Sequence, residues 1–283
     1  MRLCGIGDNL VDLYVNEGLM YPGGNGVNVA VHARRSGADT AFIGVIGTDD
    51  EGDIVKASLI SEGVHVDRLH QLEGETAFAT VYLDSSGNRS FGLSEKGVSI
   101  FHPDEADIAY LADFDVVHLC ETSRLEAALP AIAERAAVSF DFSDRDNEYA
   151  APLLPWITVA TFSRSESSAE DVEAQIAWAH AQGAPWVIVT RGAQGAVISD
   201  GARIHYQKAA PAEVVDTLGA GDSFIARLIV RLWEGVALTD AAGEAALYSA
   251  EVCGTSGGFG YGHALYAPNR YEILTDLTNE AKQ

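Results

Sequence analysis

Cysteine, basic charge and long apolar runs are all scarce in this chain of 283 residues, and each shortage excludes a class of protein. Three scattered cysteines, Cys4, Cys120 and Cys253, are too few for a disulfide framework, so a reducing cytoplasm is the expected compartment. No apolar run approaches the length that spans a bilayer, and Leu3-Cys4-Gly5-Ile6 begins a strand without a signal-peptide pattern. Basic residues number 18 against 41 acids, for a net charge of −23, which argues against nucleic acid or an anionic membrane as partner. The histidines lack zinc-ligand spacing, and no Gly-x-x-x-x-Gly-Lys loop is present. An anionic ligand in so acidic a chain must be met by backbone amides, a helix N-terminus, a metal ion or a few local cations.

What is present is alternation. Leu3 to Ile6, Ala41 to Ile46, Val116 to Leu119, Val138 to Phe142 and Trp186 to Thr190 read as buried parallel strands. Helical spacing of apolar residues runs over Asn25 to Ser36, Gly52 to Glu62, Leu125 to Ala136 and Ala169 to Gln182. The order predicts an α/β fold with a three-layer, doubly wound, mostly parallel sheet. Two stretches depart from it. Ala77 to Leu83, the turn Asp84 to Asn88 and Arg89 to Phe91 read as a β-hairpin, with Leu10 to Val15 as a pairing strand. The expectation is one domain over residues 1–283, with a projecting β lid drawn from about 10–20 and 75–95.

Two glycine-rich helix entries follow from the same reading. Asp216-Thr217-Leu218-Gly219-Ala220-Gly221-Asp222 leads into the apolar helical run Ile225 to Trp233. Free amides at such an entry, with the helix dipole, make an anion site that needs no lysine. Asp222 alone reads as either an N-cap or a reactive acid. Pro22-Gly23-Gly24-Asn25-Gly26-Val27-Asn28 holds more glycines than a turn requires. Asn25 and Asn28 are three apart and project towards one open helix end, where their amides suit sugar hydroxyls.

In order and separation, the two motifs resemble the signatures of the PfkB (ribokinase-like) carbohydrate kinases, Gly-Gly-x-x-x-Asn-x-Ala and Asp-Thr-x-Gly-Ala-Gly-Asp. The resemblance runs over essentially the whole chain. It implies a ribokinase-like fold and ATP-dependent, Mg2+-dependent phosphorylation of a sugar hydroxyl, with K+ as an activating ion in many relatives. It makes Asp222 the catalytic base and Gly219, Ala220 and Gly221 the anion hole. Asp12, Gly24, Asn25 and Asn28 would bind the sugar, and Ser163, Thr190, Gly192, Gly195, Gly219 and Gly221 the nucleotide. Glu166 would hold magnesium through water and Asp216 a monovalent cation. One departure stands out: Ser163-Arg164-Ser165-Glu166 has serine where the family has asparagine.

Within the family, Gly7-Asp8-Asn9-x-Val11-Asp12, Phe140-Asp141-Phe142-Ser143-Asp144 and the run Asp216 to Ala226 resemble kinases of fructosamines, in which fructose is joined through its first carbon to an amine. Glu121, at the end of the Val116–Cys120 strand, then either faces a hydroxyl or the cationic amine or is an exposed loop acid, and Arg89 either reaches down to the substrate or is a surface arginine of the lid. Asp141 is an acid of the site or part of a solvated loop. The competing readings are a kinase for another ketose, ribose or a nucleoside, and a sugar-binding sensor on a kinase scaffold. Lid sheets of the family often pair between subunits, which implies a homodimer.

Overall fold

A computed structural model describes residues 1–83 and 89–265 of the chain. In chain order its strands are β1 (Arg2–Gly7), β2 (Leu10–Tyr14), β3 (Leu19–Gly23), β4 (Asp39–Ile46), β5 (Leu69–Gln71), β6 (Phe78–Leu83) and β7 (Arg89–Glu95). There follow β8 (Val116–Cys120), β9 (Ala137–Asp141), β10 (Val159–Ser163), β11 (Trp186–Thr190), β12 (Ala196–Ser199), β13 (Ile204–Gln207) and β14 (His263–Ala264). The helices are α1 (Asn25–Arg35), α2 (Asp50–Ser61), α3 (Glu105–Tyr110), α4 (Leu129–Ala133), α5 (Asn147–Ala150), α6 (Ala169–Ala181), α7 (Ala220–Trp233) and α8 (Leu238–Val252).

The main sheet runs β13-β12-β11-β10-β9-β8-β1-β4-β5. Only its β11–β12 and β12–β13 pairings are antiparallel. All five strands read from apolar runs lie in its parallel part, buried on both faces as their continuous hydrophobicity requires. Side chains of α1, α7 and α8 pack on one face, through Val29, Phe224, Ile229 and Ala245. Side chains of α4 and α6, among them Leu129, Ile132, Val172 and Ile176, cover the other. The three layers are therefore present.

The helical stretch read over Leu125 to Ala136 is shorter than expected. It forms a single 3-10 turn, Glu126–Ala128, and then α4, with Pro130 in the first helical turn. Proline has no N–H to give and fits only at a helix start, so one continuous helix cannot pass through it.

A second sheet, β14-β3-β2-β6-β7, gathers the hairpin strands and pairs β2 in parallel with β6. The hairpin turn itself lies outside the described residues. This small sheet does not simply project from the core. Val11, Leu13, Met20 and Phe78 are buried against Val27 and Val31 of α1 and Val55 and Leu59 of α2. Its inner face is apolar, and burying it there removes the cost of exposing it to water.

Candidate active site

The strands β1, β8, β9, β10 and β11 end at Gly7, Cys120, Asp141, Ser163 and Thr190, and candidate residues collect along that carboxyl edge, the usual crevice of an open α/β sheet. The first turn of α1 is drawn down onto β1 there. A Cβ on Gly5 would lie 2.2 Å from the Gly26 carbonyl oxygen, so only glycine in β1 admits so close a helix. Asp8 anchors the same turn, its Oδ2 accepting from the Asn25 backbone N–H at 2.9 Å while Oδ1 pairs with Lys96 Nζ at 3.1 Å.

Asp222 is the third residue of α7, and Gly219 holds the N-cap position with φ +75°. Asp222 is therefore not the helix cap. A glycine cap brings no side chain, so no side chain caps the N-terminal amides of α7, although the Ala220 N–H itself turns back to the Thr217 carbonyl at 3.3 Å rather than standing open as expected. The Asp222 carboxylate instead reaches across to α1. Asn25 Nδ2 donates to its Oδ1 at 2.8 Å and Asn28 Nδ2 to its Oδ2 at 2.7 Å. The three-residue spacing of the asparagines thus converges on one open end, and in this structure it converges on the acid.

Asn25 Nδ2 also donates to Asp141 Oδ2 at 3.1 Å. Asp141 is buried rather than part of a solvated loop, and its Oδ1 accepts from the Ser143 N–H at 2.8 Å. Burial, together with the neighbouring Asp222, pushes the Asp141 carboxyl up to about 7. Beneath Asn25 lies His118, wholly buried in β8, with Nε2 at 2.8 Å from Asn25 Oδ1 and Nδ1 at 2.9 Å from Ser139 Oγ. Burial holds the imidazole down at about 3, so it is neutral.

Sequence reasoning gave His118 no role and did not single out Lys96. The available signal for His118 was a lone imidazole inside the otherwise apolar strand Val116-Val117-His118-Leu119-Cys120.

Asp12 is buried on β2 and lies over the start of the glycine-rich loop, because a Cβ on Gly23 would meet its Oδ2 at 2.2 Å. Asp216 has no solvent exposure and acts as a junction. Its carboxylate accepts from the Tyr14 hydroxyl of β2, from the Leu218 N–H at 2.9 Å and from the Gly257 N–H at 2.9 Å. The small sheet, the entry to α7 and the 253–262 loop meet on this one side chain. Tyr14→Phe removes a donor from a buried charge and is expected to cost about 1.5–3 kcal/mol. A lower denaturant midpoint at unchanged slope is the check.

Ser163 and Thr190 sit side by side at the ends of β10 and β11, their hydroxyls 3.1 Å apart. Gly192 and Gly195 close the turn beyond Thr190, with the Gly195 N–H donating to the Gly192 carbonyl at 3.0 Å. Next to Ser163 opens a depression of about 600 Å³ lined by Asp144, Asp146, Ser163, Arg164, Glu166 and Gln175 among others. Glu121 is spent differently from expectation. Its Oε2 accepts from Arg145 Nε at 3.1 Å and Nη2 at 2.8 Å, so the carboxylate already has a cationic partner. Arg89 begins β7, and its side chain lies outside the described residues.

A carboxylate held by two amides beside an uncapped helix N-terminus, at the carboxyl edge of a sheet flanked by a small β-sheet, defines a sugar kinase of ribokinase-like fold. The chain belongs to that family: the pfkB family carbohydrate kinase profile matches residues 8–260. It is 39% identical over 268 residues to a fructosamine kinase, FrlD, of Bacillus subtilis (strain 168), covering 93% of this chain and 94% of that protein. It is 37% identical over 242 residues to the fructoselysine 6-kinase of Escherichia coli (strain K12), covering 84% and 92%. The fold matches Arabidopsis thaliana ribokinase complexed with ribose and ATP at a TM-score of 0.79 and 23% identity, over 91% of this chain and 94% of that one.

Proposed function

We propose that this sugar kinase transfers the γ-phosphoryl group of ATP to the 6-hydroxyl of a fructosamine, with Asp222 as the base. The observation behind it is the grip of Asn25 and Asn28 on Asp222 at the open end of α7. The substrate class draws on the two relatives named for fructosamine and fructoselysine.

Phosphoryl transfer asks the protein for in-line placement, charge neutralisation and exclusion of water. Asp12, Gly24 and Asn28 orient the sugar beneath the small sheet. Asp222 takes the proton from the attacking hydroxyl as its oxygen bonds to the γ-phosphorus and the bond from that phosphorus to the bridging oxygen breaks, releasing ADP. The amides at Gly219 and Gly221 meet the charge on the transferred group without any lysine. The ATP phosphates approach over Ser163, Thr190, Gly192 and Gly195.

The oxygen-rich depression fits magnesium, a hard cation, through Glu166 with Asp144 and Asp146 nearby. Among the described residues no three His, Cys, Asp or Glu form a ready-made metal centre, so the ion would lean on water and phosphate oxygens. When bound, it neutralises charge on the phosphates. The Asp216 carboxylate accepts from three N–H and O–H donors, two on Oδ2 and one on Oδ1, so a monovalent cation such as K+ would be held there through the remaining lone pair of Oδ1. A homodimer through the small sheet and a cytoplasmic location complete the reading. Among the described residues no helix is long and apolar enough to cross a membrane.

The test is ADP release with magnesium and ATP over a panel of fructoselysine, other fructosamines, fructose, ribose and a nucleoside. The proposal expects the highest kcat/KM for a fructosamine and a 6-phosphate product. A clear preference for free fructose or ribose would defeat the substrate assignment, and no turnover on any sugar would favour the sensor reading.

A further inference from the structure

With Asp222 ionised as the base, the hydrogen bonds around Asn25 select one arrangement of protons. The Asp222 carboxylate accepts, so the Asn25 atom that faces it, and faces Asp141 as well, is the NH2 group, and its two N–H bonds are divided between the two acids. Its Oδ1 then faces His118 Nε2, which must carry the ring proton. The imidazole is neutral, so Nδ1 is an acceptor and Ser139 Oγ–H donates to it. A directed chain results, from Ser139 through His118 and Asn25 to Asp222.

The fold supplies this chain from the sheet itself. His118 and Ser139 are register partners on β8 and β9, and Gly5 of β1 is the register partner of His118 on its other side. Gly5 lets α1 come close enough for Asn25 to reach down to the ring. Both His118 and Ser139 have no solvent exposure, so water cannot replace either partner.

We propose that His118 is a positioning residue for phosphoryl transfer, whose Nε2–H locks the Asn25 amide with one N–H on Asp222 and the other on Asp141. The inference rests on Asp222 being the base. Without the lock the amide is free to flip, and a flipped amide would turn its oxygen towards the Asp222 carboxylate and take the Asn25 donor away from it. The charged groups bordering this cluster are Asp141 from β9, Asp8 paired with Lys96, and Glu121 paired with Arg145.

The decisive series compares wild type, His118→Leu, His118→Gln and Asp222→Asn. His118→Leu removes the donor at similar volume, whereas glutamine returns an N–H near the position of Nε2. His118→Leu should lower kcat about 10–100-fold, the usual cost of a lost supporting contact or a small misplacement, with KM for ATP unchanged. A hydrogen bond to a carboxylate favours its ionised form, so losing one moves the acidic limb of the kcat profile to higher pH. His118→Gln should recover most of the rate and return the limb. Wild-type kcat and limb in His118→Leu, beside an inactive Asp222→Asn, would overturn the positioning role and leave the base in place. An active Asp222→Asn would instead remove the base assignment. Should His118→Leu fail to fold, 15N NMR of wild type decides: an Nε2–H tautomer that stays neutral down to pH 5 is expected, and an Nδ1–H tautomer or an imidazolium contradicts the lock.

Discussion

Asp222→Asn should lower kcat about 10²–10⁴-fold, the range lost when a general base is removed, with KM for the sugar nearly unchanged. Asparagine keeps the shape and one acceptor oxygen, so one of the two donors, Asn25 or Asn28, still has a partner. What it loses is the ability to take a proton. The residual rate belongs to placement and to the amides of α7, which the substitution leaves alone. Steady-state ADP release at saturating ATP and sugar reads the effect directly.

Gly219→Ala should be comparably damaging for a different reason. Gly219 holds φ +75°, a left-handed conformation that strains an alanine by roughly 1–3 kcal/mol. Its added Cβ would also lie 2.4 Å from the Gly258 carbonyl oxygen, a backbone atom that cannot swing aside. Such overpacking adds about 1–3 kcal/mol. The strain is relieved only by moving the 257–258 backbone or the first turn of α7. Either shift displaces the amides proposed to meet the phosphoryl group, and a misplacement near 1 Å costs about 10²-fold in rate. Thermal unfolding and kcat should therefore fall together, by roughly 2–4 °C for each kcal/mol lost. Wild-type stability in this variant would mean that the close contact with Gly258 is not there.

Much of the fold was legible because burial on both faces leaves an apolar run that needs no partner to be recognised. The strands β1, β4, β8, β9 and β11 are of this kind. Strand β10 was passed over because Thr161 interrupts its short apolar run, although that threonine is fully buried. Helix α8 was also missed, its alanine-rich sequence giving little contrast between faces.

The candidate site was legible in its parts and not in its pairings. Spacing told that Asn25 and Asn28 share a helix end, and glycine content told that α7 opens onto a ligand. Neither could tell that the asparagines hold Asp222, since those partners are 197 and 194 residues apart and meet only through the packing of α1 against α7. Glu121 and Asp216 show the same limit. Each is an acid in a suggestive place, and each already has partners, Arg145 in one case and Tyr14 and two backbone N–H groups in the other. His118 had no role in the sequence reading, because the partners at its two nitrogens, Asn25 and Ser139, lie far from it along the chain.

The central claim is that Asp222 acts in the chemical step of sugar phosphorylation. It is tested most directly by single-turnover quench-flow of Asp222→Asn, saturated with fructoselysine, ATP and magnesium, against wild type. The expected result is full occupancy with transfer slowed by about 10²–10⁴-fold. Transfer at the wild-type rate would contradict the account.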